Sequence, residues 1–429
     1  MPAKSESSRQ HFERLLSTSE GVEELAGRLA GGEAPRPPRF PGGTRLDADA
    51  VAKRWTALDA DASVRERLLG EGGVVDPQAY SRNIENFVGA VQVPVGVAGP
   101  LRVNGVFARG DFHVPLATTE AALVASYHRG ARLLTAAGGA SSALVNEAVN
   151  RSPAFAFRTI AEAGKFLHWA LSQLDRMKAI VSESSRYARL LDFGATGEGN
   201  HIYLNLEFTT GDASGQNMVT LATQRICDFL LAGSPVAPRR AYVEGNLSGD
   251  KKASAQAFNS VRGKKVIAEV ALPAPLVQRH LHATPEEMVD YWRMSALGGV
   301  LSGTIGVQGH FANGLAALFI ACGQDPACVA ESAVGVTRFE LAEDGALYAA
   351  VTLPSLMLGT VGGGTGLPTQ RACLELMGLA GEGKSGALAE VAGALVLAGE
   401  LSIIGAMAAG HFARAHERRA REPRRGNHP

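Results

Sequence analysis

Four ionisable side chains stand in glycine- or alanine-rich surroundings along this sequence: Glu120 in TTEAAL, Lys251 in GDKK, Asp325 in CGQD and His416 in AAGHFARAH. An acid, an ammonium, a second carboxylate and an imidazole are enough for acid–base chemistry at a carbonyl. The cation stabilises an oxygen that becomes negative, and the acids deliver protons. A fifth segment, GDASGQNM (Gly211 to Met218), sets glycines at the opening of an expected helix, where free backbone N–H groups suit a phosphate. Asp212, Gly215, Asn217 and Met218 are therefore candidates for holding a phosphate-bearing cofactor. There is no GxGxxG, so a Rossmann site is not expected.

The chain that must position these groups has 429 residues, enough for two or three domains and a large core. Lys plus Arg (42) equals Asp plus Glu (42), so the total charge gives no reason to expect nucleic acid or a membrane surface as partner. The 50 glycines fall in short clusters between apolar runs and read as tight turns and close backbone approaches. Cys227, Cys322, Cys328 and Cys373 are scattered, with no CxxC spacing, and are expected to be reduced and mostly buried in a cytoplasmic protein. No metal site is expected. The N-terminus is polar, without the apolar stretch of a signal peptide. Leu395 to Ala409 is apolar but reads as too short for a membrane span and contains Glu400.

Phe12 to Leu29 and Leu46 to Leu69 carry helical spacing on either side of EAPRPPRFPGG (Glu33 to Gly43), which cannot be helix. Residues 1–84 form this N-terminal helical region. From 153 to 243 the pattern changes. Ala154 to Phe157 is a short strand, Ile160 to Ile180 a long amphipathic helix, and Arg186 to Phe193 a strand. His201 to Thr209 alternates with period two, Asn217 to Ala232 is helical, and Arg240 to Val243 is a last strand. The order β-α-β-β-α-β is a split βαβ unit inserted between two Gly/Ala-rich regions, 85–152 and 254–429, with 244–253 as the linking loop. The fold class is α+β. Ser295 to Phe319 and Ala387 to Arg418, rich in Ala and Gly, read as helices whose backbones pack closely.

ENFVGAVQVPVGVAGPL (Glu85 to Leu101), TTEAALVASYHRG, GDASGQNM, GNLSGDKK, GHFAN (Gly309 to Asn313), ACGQD, GTVGGGTGLPTQ (Gly359 to Gln370) and AGHFARAH together resemble the 3-hydroxy-3-methylglutaryl-CoA reductase family, class I-like, in its soluble catalytic portion, in order from about residue 85 to 418. The resemblance implies a helix-rich large domain with a central helix, plus an inserted ferredoxin-like small domain that binds NADPH. It implies reduction of an acyl-CoA thioester to the alcohol, first of all HMG-CoA to mevalonate and CoA, with two NADPH per turnover and coenzyme A as part of the substrate. Lys251 would stabilise the oxyanion and Glu120 would protonate oxygen. Asp325 would tie the two together and raise the Glu120 pKa, and His416 would protonate the departing thiolate. His411, about 140° from His416 on a helix, would play no such part. Ser185, Arg186 and Tyr187 in SSRYARL match positions near the 2′-phosphate, and Gly362, Gly363 and Thr365 would line the same cleft. Arg129 is a candidate for CoA phosphate, while Arg151, Glu244, Asn246, Asp250, Lys252, Ser295, His310 and Asn313 match substrate-side positions. The family places its active site between subunits of a homodimer or tetramer, with Glu and Lys from one chain and Asp from another.

The sequence departs from the family's pattern in four places. Glu244 replaces a serine, Met294 or Ser295 falls where a substrate lysine belongs, Ala121 follows the catalytic glutamate, and Glu422 takes the place of a regulatory serine. The first two make the acyl pocket more negative and point to an alternative acyl group, on CoA or a carrier, in specialised metabolism. A non-catalytic binding protein is the reading from a different class. The arginines after His416 (Arg418, Arg419, Arg421, Arg424 and Arg425) are expected to be a solvated end.

Overall fold

The computed structural model describes residues 13, 23, 39–58, 60–70 and 75–410. Most of the helix expected over Phe12 to Leu29 lies outside these, as do His411, His416, Glu422 and the arginine-rich end. The chain divides into a unit ending at Ala90 and a unit beginning at Val91.

In the first unit, α1 (Ala48–Leu58) and α2 (Ala62–Leu69) occupy the stretch with helical spacing. Asp61 starts α2 by accepting the Ser63 N–H. Leu46, Val51, Trp55 and Phe87 form a small core. The buried Arg54 donates to the backbone carbonyls of Pro41, Gly43, Arg45 and Phe87, which ties the connecting segments to α1.

The second unit opens with the hairpin β1 (Val95–Gly105) and β2 (Arg109–Ala117), followed by α3 (Leu123–Ala136) and β3 (Ala140–Arg151). Next come β4 (Ala154–Ala156), α4 (Ile160–Leu171), α5 (Leu174–Ser184), β5 (Arg189–Glu198), β6 (His201–Thr209), α6 (Gln216–Gly233) and β7 (Arg240–Tyr242). The single helix expected over Ile160 to Ile180 is thus two, interrupted at Ser172 and Gln173. The Ser172 hydroxyl bonds back to the Trp169 carbonyl there, a local bond that competes with helix continuation. The strand order is β7-β4-β6-β5, all antiparallel. In β6 the residues Ile202, Leu204, Leu206 and Phe208 point into the core, as the period-two pattern requires.

After the linking loop come α7 (Gln256–Asn259), β8 (Gly263–Leu272), α8 (Ala274–Leu281), α9 (Pro285–Ser302) and β9 (Gly306–Val307). Then follow α10 (Phe311–Ala321), α11 (Val329–Ser332), β10 (Gly335–Leu341), β11 (Leu347–Leu356), α12 (Pro368–Leu376) and α13 (Ser385–Ala408). One sheet path, β7-β4-β6-β3-β8-β11-β10-β9, runs through both halves. Strand β3 joins them, because Ser141 to Ala148 pairs with β8 while Val149 to Arg151 pairs with β6.

Helix α13 is apolar on every side and buried along nearly its whole length, the pattern of a core helix. At 24 residues it is long enough to cross a bilayer, which corrects the expectation that this stretch is too short; 83% of its most apolar stretch is buried inside the protein. Its small residues permit close packing. A Cβ on Gly130 of α3 would lie 1.9 Å from the Ala398 carbonyl oxygen, and one on Gly399 would meet the Tyr127 ring at 2.4 Å. Both glutamates of the helix are fully buried. Glu390 accepts the backbone N–H groups of Val106, Phe107, Ala108 and Leu144, so the β1–β2 turn and β3 are fastened to α13.

Candidate active site

Lys251 lies in the loop after Gly249 with a left-handed backbone, φ +56°. Its ammonium meets the Asp325 carboxylate at 2.7 Å, and both side chains are about two-fifths exposed (41% and 39%). Asp325 holds the lysine pKa above its ordinary value, against the opposing effect of partial burial. The other Asp325 oxygen accepts the Ala327 N–H and starts the short turn Pro326–Cys328 that leads into α11. From α11, buried Glu331 accepts the Lys251 backbone N–H at 3.1 Å.

Beneath this loop is a charge network. Arg262, 2% exposed, bonds Glu331 through Nε (2.7 Å), the Asn150 carbonyl through Nη1 (2.7 Å) and Asp250 through Nη2. Asp250 also meets Arg151 at 2.9 Å. Burial pushes the Asp250 carboxyl up, but Arg262 and Arg151 prevail and hold it below the usual carboxylate range. Glu244 belongs to the same network. One oxygen accepts from Arg151 (3.3 Å), the Ser152 N–H and the Ser248 hydroxyl, and the other accepts the Asn246 N–H at 2.7 Å. The structure therefore gives Glu244 to the loop itself, with its charge met by Arg151. Lys252, exposed, bonds the Asp250 carbonyl.

Glu120 lies elsewhere. The turn Thr118–Ala122 ends with Ala122 in the left-handed region (φ +72°) at the start of α3, and the exposed Glu120 carboxylate receives one bond, 3.4 Å, from Asn313 near the start of α10. The expected burial of Glu120 against Asp325 is not met within the chain. The family's division of Lys and Asp between two chains is corrected too, because Lys251 and Asp325 pair within one. Behind Asn313, His310 stacks on Tyr127 with centroids 5.5 Å apart. The His310 Nδ1 meets Glu400 at 3.0 Å. Glu400, wholly buried, also accepts the Gly309 and His310 N–H groups and the Thr337 hydroxyl. Burial raises its pKa, yet His310 and these donors outweigh burial and keep it low.

Three glycine loops meet beside the lysine loop. Gly215 (φ +74°) starts α6, where a Cβ would lie 2.3 Å from Thr210. A Cβ on Gly323 would lie 2.2 Å from the Gly364 carbonyl oxygen, and one on Gly359 would meet the Asp212 carbonyl oxygen and the Ser214 nitrogen at 2.6 Å. Buried Gln324 bridges them: its Oε1 accepts the Gly359 N–H, and its Nε2 donates to the Cys322 and Gly359 carbonyls. Gln216 at the start of α6 reaches the Cys328 sulfur at 2.9 Å. Asp212, a sequence candidate for the cofactor, is otherwise engaged. Its two carboxylate oxygens accept the Gly383 (2.7 Å) and Ser385 (3.0 Å) N–H groups at the start of α13. Burial pushes its pKa up, but these donors win and it lies below the usual range.

Ser185 ends α5 and accepts the Tyr187 and Ala188 N–H groups, leaving Arg186 and Tyr187 exposed. Since Arg189 pairs with Thr209, this segment and the Gly211–Gly215 loop lie at one end of the small sheet. Asn217 and Met218 occupy the first turn of α6. Exposed Gly362 and Gly363 (φ +73° and +54°) have open space where a Cβ would point, and Thr365 closes that turn by bonding the Gly362 carbonyl. Arg129 is bound to Ser402 of α13 through Nε (3.0 Å) and Nη2 (2.8 Å), which ties α3 to α13. Ser295 and Met294 lie on the exposed half of α9, and among the described residues neither bonds to the Arg151 network. Sequence reasoning missed Arg262, Glu331, Gln324, Tyr127 and Glu390 as parts of the site or its supports. It noticed Glu400 without assigning it a role. A lone glutamate inside an apolar helix was the signal for the last two, since a buried charge needs partners.

A family model described as hydroxymethylglutaryl-coenzyme A reductase matches residues 50–421. Among relatives, the 3-hydroxy-3-methylglutaryl-coenzyme A reductase of Methanocaldococcus jannaschii is 40% identical over 347 residues, covering 80% of this chain and 85% of its own. That of Aeropyrum pernix is 45% identical over 350 residues, covering 79% and 82%. The class II reductase of Streptococcus pneumoniae, solved bound to NADPH in open conformations, is similar in fold, with a TM-score of 0.63 at 18% identity over 77% of this chain and 89% of that one.

Proposed function

The chain belongs to the hydroxymethylglutaryl-coenzyme A reductase family, and from that premise we propose that it reduces the thioester of HMG-CoA to the alcohol mevalonate, releasing coenzyme A and consuming two NADPH. The observation that carries the reading is the Lys251–Asp325 pair on a loop fixed from below by Arg262 and Glu331. A preorganised ammonium is what a thioester oxygen needs as it takes on negative charge. When bound, the dinucleotide supplies two hydrides, both to the former carbonyl carbon. Two protons balance them, one to the oxygen and one to the departing sulfur. Glu120 is the donor to oxygen and His416 the donor to sulfur. Arg151, Asn246, Asp250 and Lys252 border the acyl end, with Asn313 and His310 behind Glu120.

The residues present fit the dinucleotide. The first turn of α6 has no side-chain cap, so its N–H groups are free to face a phosphate, and exposed Arg186 lies at the same end of the small sheet. The open positions at Gly362 and Gly363 leave room along the same cleft. We read residues 153–243 as a ferredoxin-like nucleotide domain and 244–253 as the linking catalytic loop. Residues 85–152 and 254–429 are the large domain, and 1–84 the N-terminal region.

The same reading places the active site between subunits of a dimer or tetramer. Asn313, the partner of Glu120, and Asp325, the partner of Lys251, lie at opposite ends of α10, which rises about 12 Å between Asn313 and Ala321. A second copy is the simplest source of the missing half. Met294, Leu297, Val300 and Leu301 of α9 are 66–88% exposed, an apolar stripe suited to such an interface. Buried, unpaired Cys227, Cys322 and Cys328 suit the reducing cytoplasm in which we place the enzyme.

The test is NADPH oxidation with HMG-CoA beside acetyl-, acetoacetyl- and a longer acyl-CoA. Turnover of HMG-CoA supports the proposal. Turnover confined to a thioester without a carboxylate would assign a different acyl group, which Glu244 and Asp250 around Arg151 would then explain. NADPH binding with no turnover of any thioester would make the chain a binding protein.

A further inference from the structure

The stretch Asp325–Ser332 grips Lys251 at two points. Asp325, at its start, takes the ammonium at 2.7 Å, and Glu331, near its end, takes the backbone N–H at 3.1 Å. Between those two points lies a residue whose φ of +56° a lysine adopts only against a steric cost. The preceding residue, Asp250, is tied to Arg262, and the same Arg262 holds Glu331 at 2.7 Å. Glu331 is 2% exposed, and its Oε1 has no hydrogen-bond partner among the described residues. A buried carboxylate with one idle oxygen is a poor choice for packing alone. Its other oxygen, Oε2, accepts both the Lys251 backbone N–H and the Arg262 Nε–H, so the carboxylate joins the lysine loop to the buried network.

We propose that Glu331 is a positioning residue for the reduction: it fixes the Lys251 backbone in the left-handed conformation that delivers the ammonium to Asp325 and the substrate oxygen. The proposal rests on Lys251 being the oxyanion donor of the proposed reaction. Glu331 itself touches no reacting atom. A lysine on an unconstrained loop would spend its time in other conformations, and a displacement of about 1 Å at such a donor costs about 10²-fold in rate. Glu331→Gln keeps the shape and an oxygen that can accept the Lys251 N–H. Glu331→Asp keeps the charge beside Arg262 but withdraws the acceptor by one methylene. Glu331→Ala removes both.

The experiment combines steady-state kinetics of the full chain, NADPH affinity by fluorescence titration, thermal melting, and amide hydrogen exchange at Lys251. In support, kcat falls by about 10²-fold in Glu331→Ala and Glu331→Asp, with NADPH affinity unchanged. Glu331→Gln stays within about 5-fold of the parent, and Lys251 amide exchange accelerates by about 10-fold or more in the first two variants. Turnover within about 3-fold of the parent in Glu331→Asp would overturn the proposal. So would a parallel loss of turnover, NADPH affinity and melting temperature in both Glu331→Asp and Glu331→Gln. If Glu331→Ala does not fold, the other two variants decide. If the parent protein reduces no thioester, the proposed function fails, and amide exchange at Lys251, which needs no turnover, settles the positioning role alone.

Discussion

The surroundings of Lys251 and of Glu120 are built on opposite plans. Lys251 is held at its ammonium by Asp325 and at its backbone by Glu331, above a network in which Arg151 and Arg262 are shared among three carboxylates. Glu120 is exposed and, among the described residues, its carboxylate receives one side-chain bond, of 3.4 Å from Asn313; Tyr127, His310 and Glu400 lie behind it. The contrast fits the roles proposed for the two groups. A cation that stabilises an oxyanion works by being fixed before charge develops, since any reorganisation subtracts from the benefit. A proton donor must instead exchange protons with solvent between turnovers.

Breaking the Lys251 side from below gives the largest effect. Arg262→Met leaves Glu331 a buried carboxylate without its cation and Asp250 with Arg151 alone, and loss of one partner of a buried pair costs about 3–5 kcal/mol. Chemical denaturation measures it, and loss of folding at moderate temperature is the expected extreme. Lys251→Met acts on rate and not on stability: kcat falls by about 10²–10³-fold, as for loss of one oxyanion donor. The melting temperature barely moves, because the ion pair it removes is about two-fifths exposed. An equal loss of stability in the two variants would show that the lysine belongs to the scaffold. Glu120→Gln loses about 10²-fold or more in kcat with no change in melting, because the exposed carboxylate supports nothing structural.

Asp212 tests a smaller effect with a defined pH dependence. Its folded pKa lies below the ordinary 3.8, so its contribution is present above about pH 4 and is lost as pH falls through the folded value. Asp212→Asn should therefore cost about 1–3 kcal/mol at neutral pH, with the gap to the parent closing in denaturation below pH 3.8. NADPH affinity should drop no more than a few-fold if the carboxylate serves α13 instead of the cofactor. Asn313→Ala is the smallest, removing one long bond on an exposed group; a change of less than about 5-fold in kcat is expected.

The sequence by itself supplied the candidate reacting groups and much of the frame. Period two in His201–Thr209 gave a strand with the same bounds, because alternate residues of a half-buried strand must be apolar. Gly215 marked the start of α6, where only a residue without Cβ clears Thr210. Lys251 and Asp325 were named from their motifs and do meet. Pattern misled where a side chain had several possible partners. Asp212 looked like a cofactor ligand and caps α13; Arg129 looked like a phosphate ligand and binds Ser402. Glu244 looked like an added pocket charge and is consumed by Arg151 and its own loop. The tertiary structure alone decided these, together with the contact of Glu331 with the Lys251 N–H and the separation of Glu120 from Lys251 along α10. Local pattern records which side chains are available and which face of an element is buried. Pairing of charges depends on through-space distance between residues as far apart as 117 positions, as for Glu147 and Lys264, and on how much water the fold removes between them.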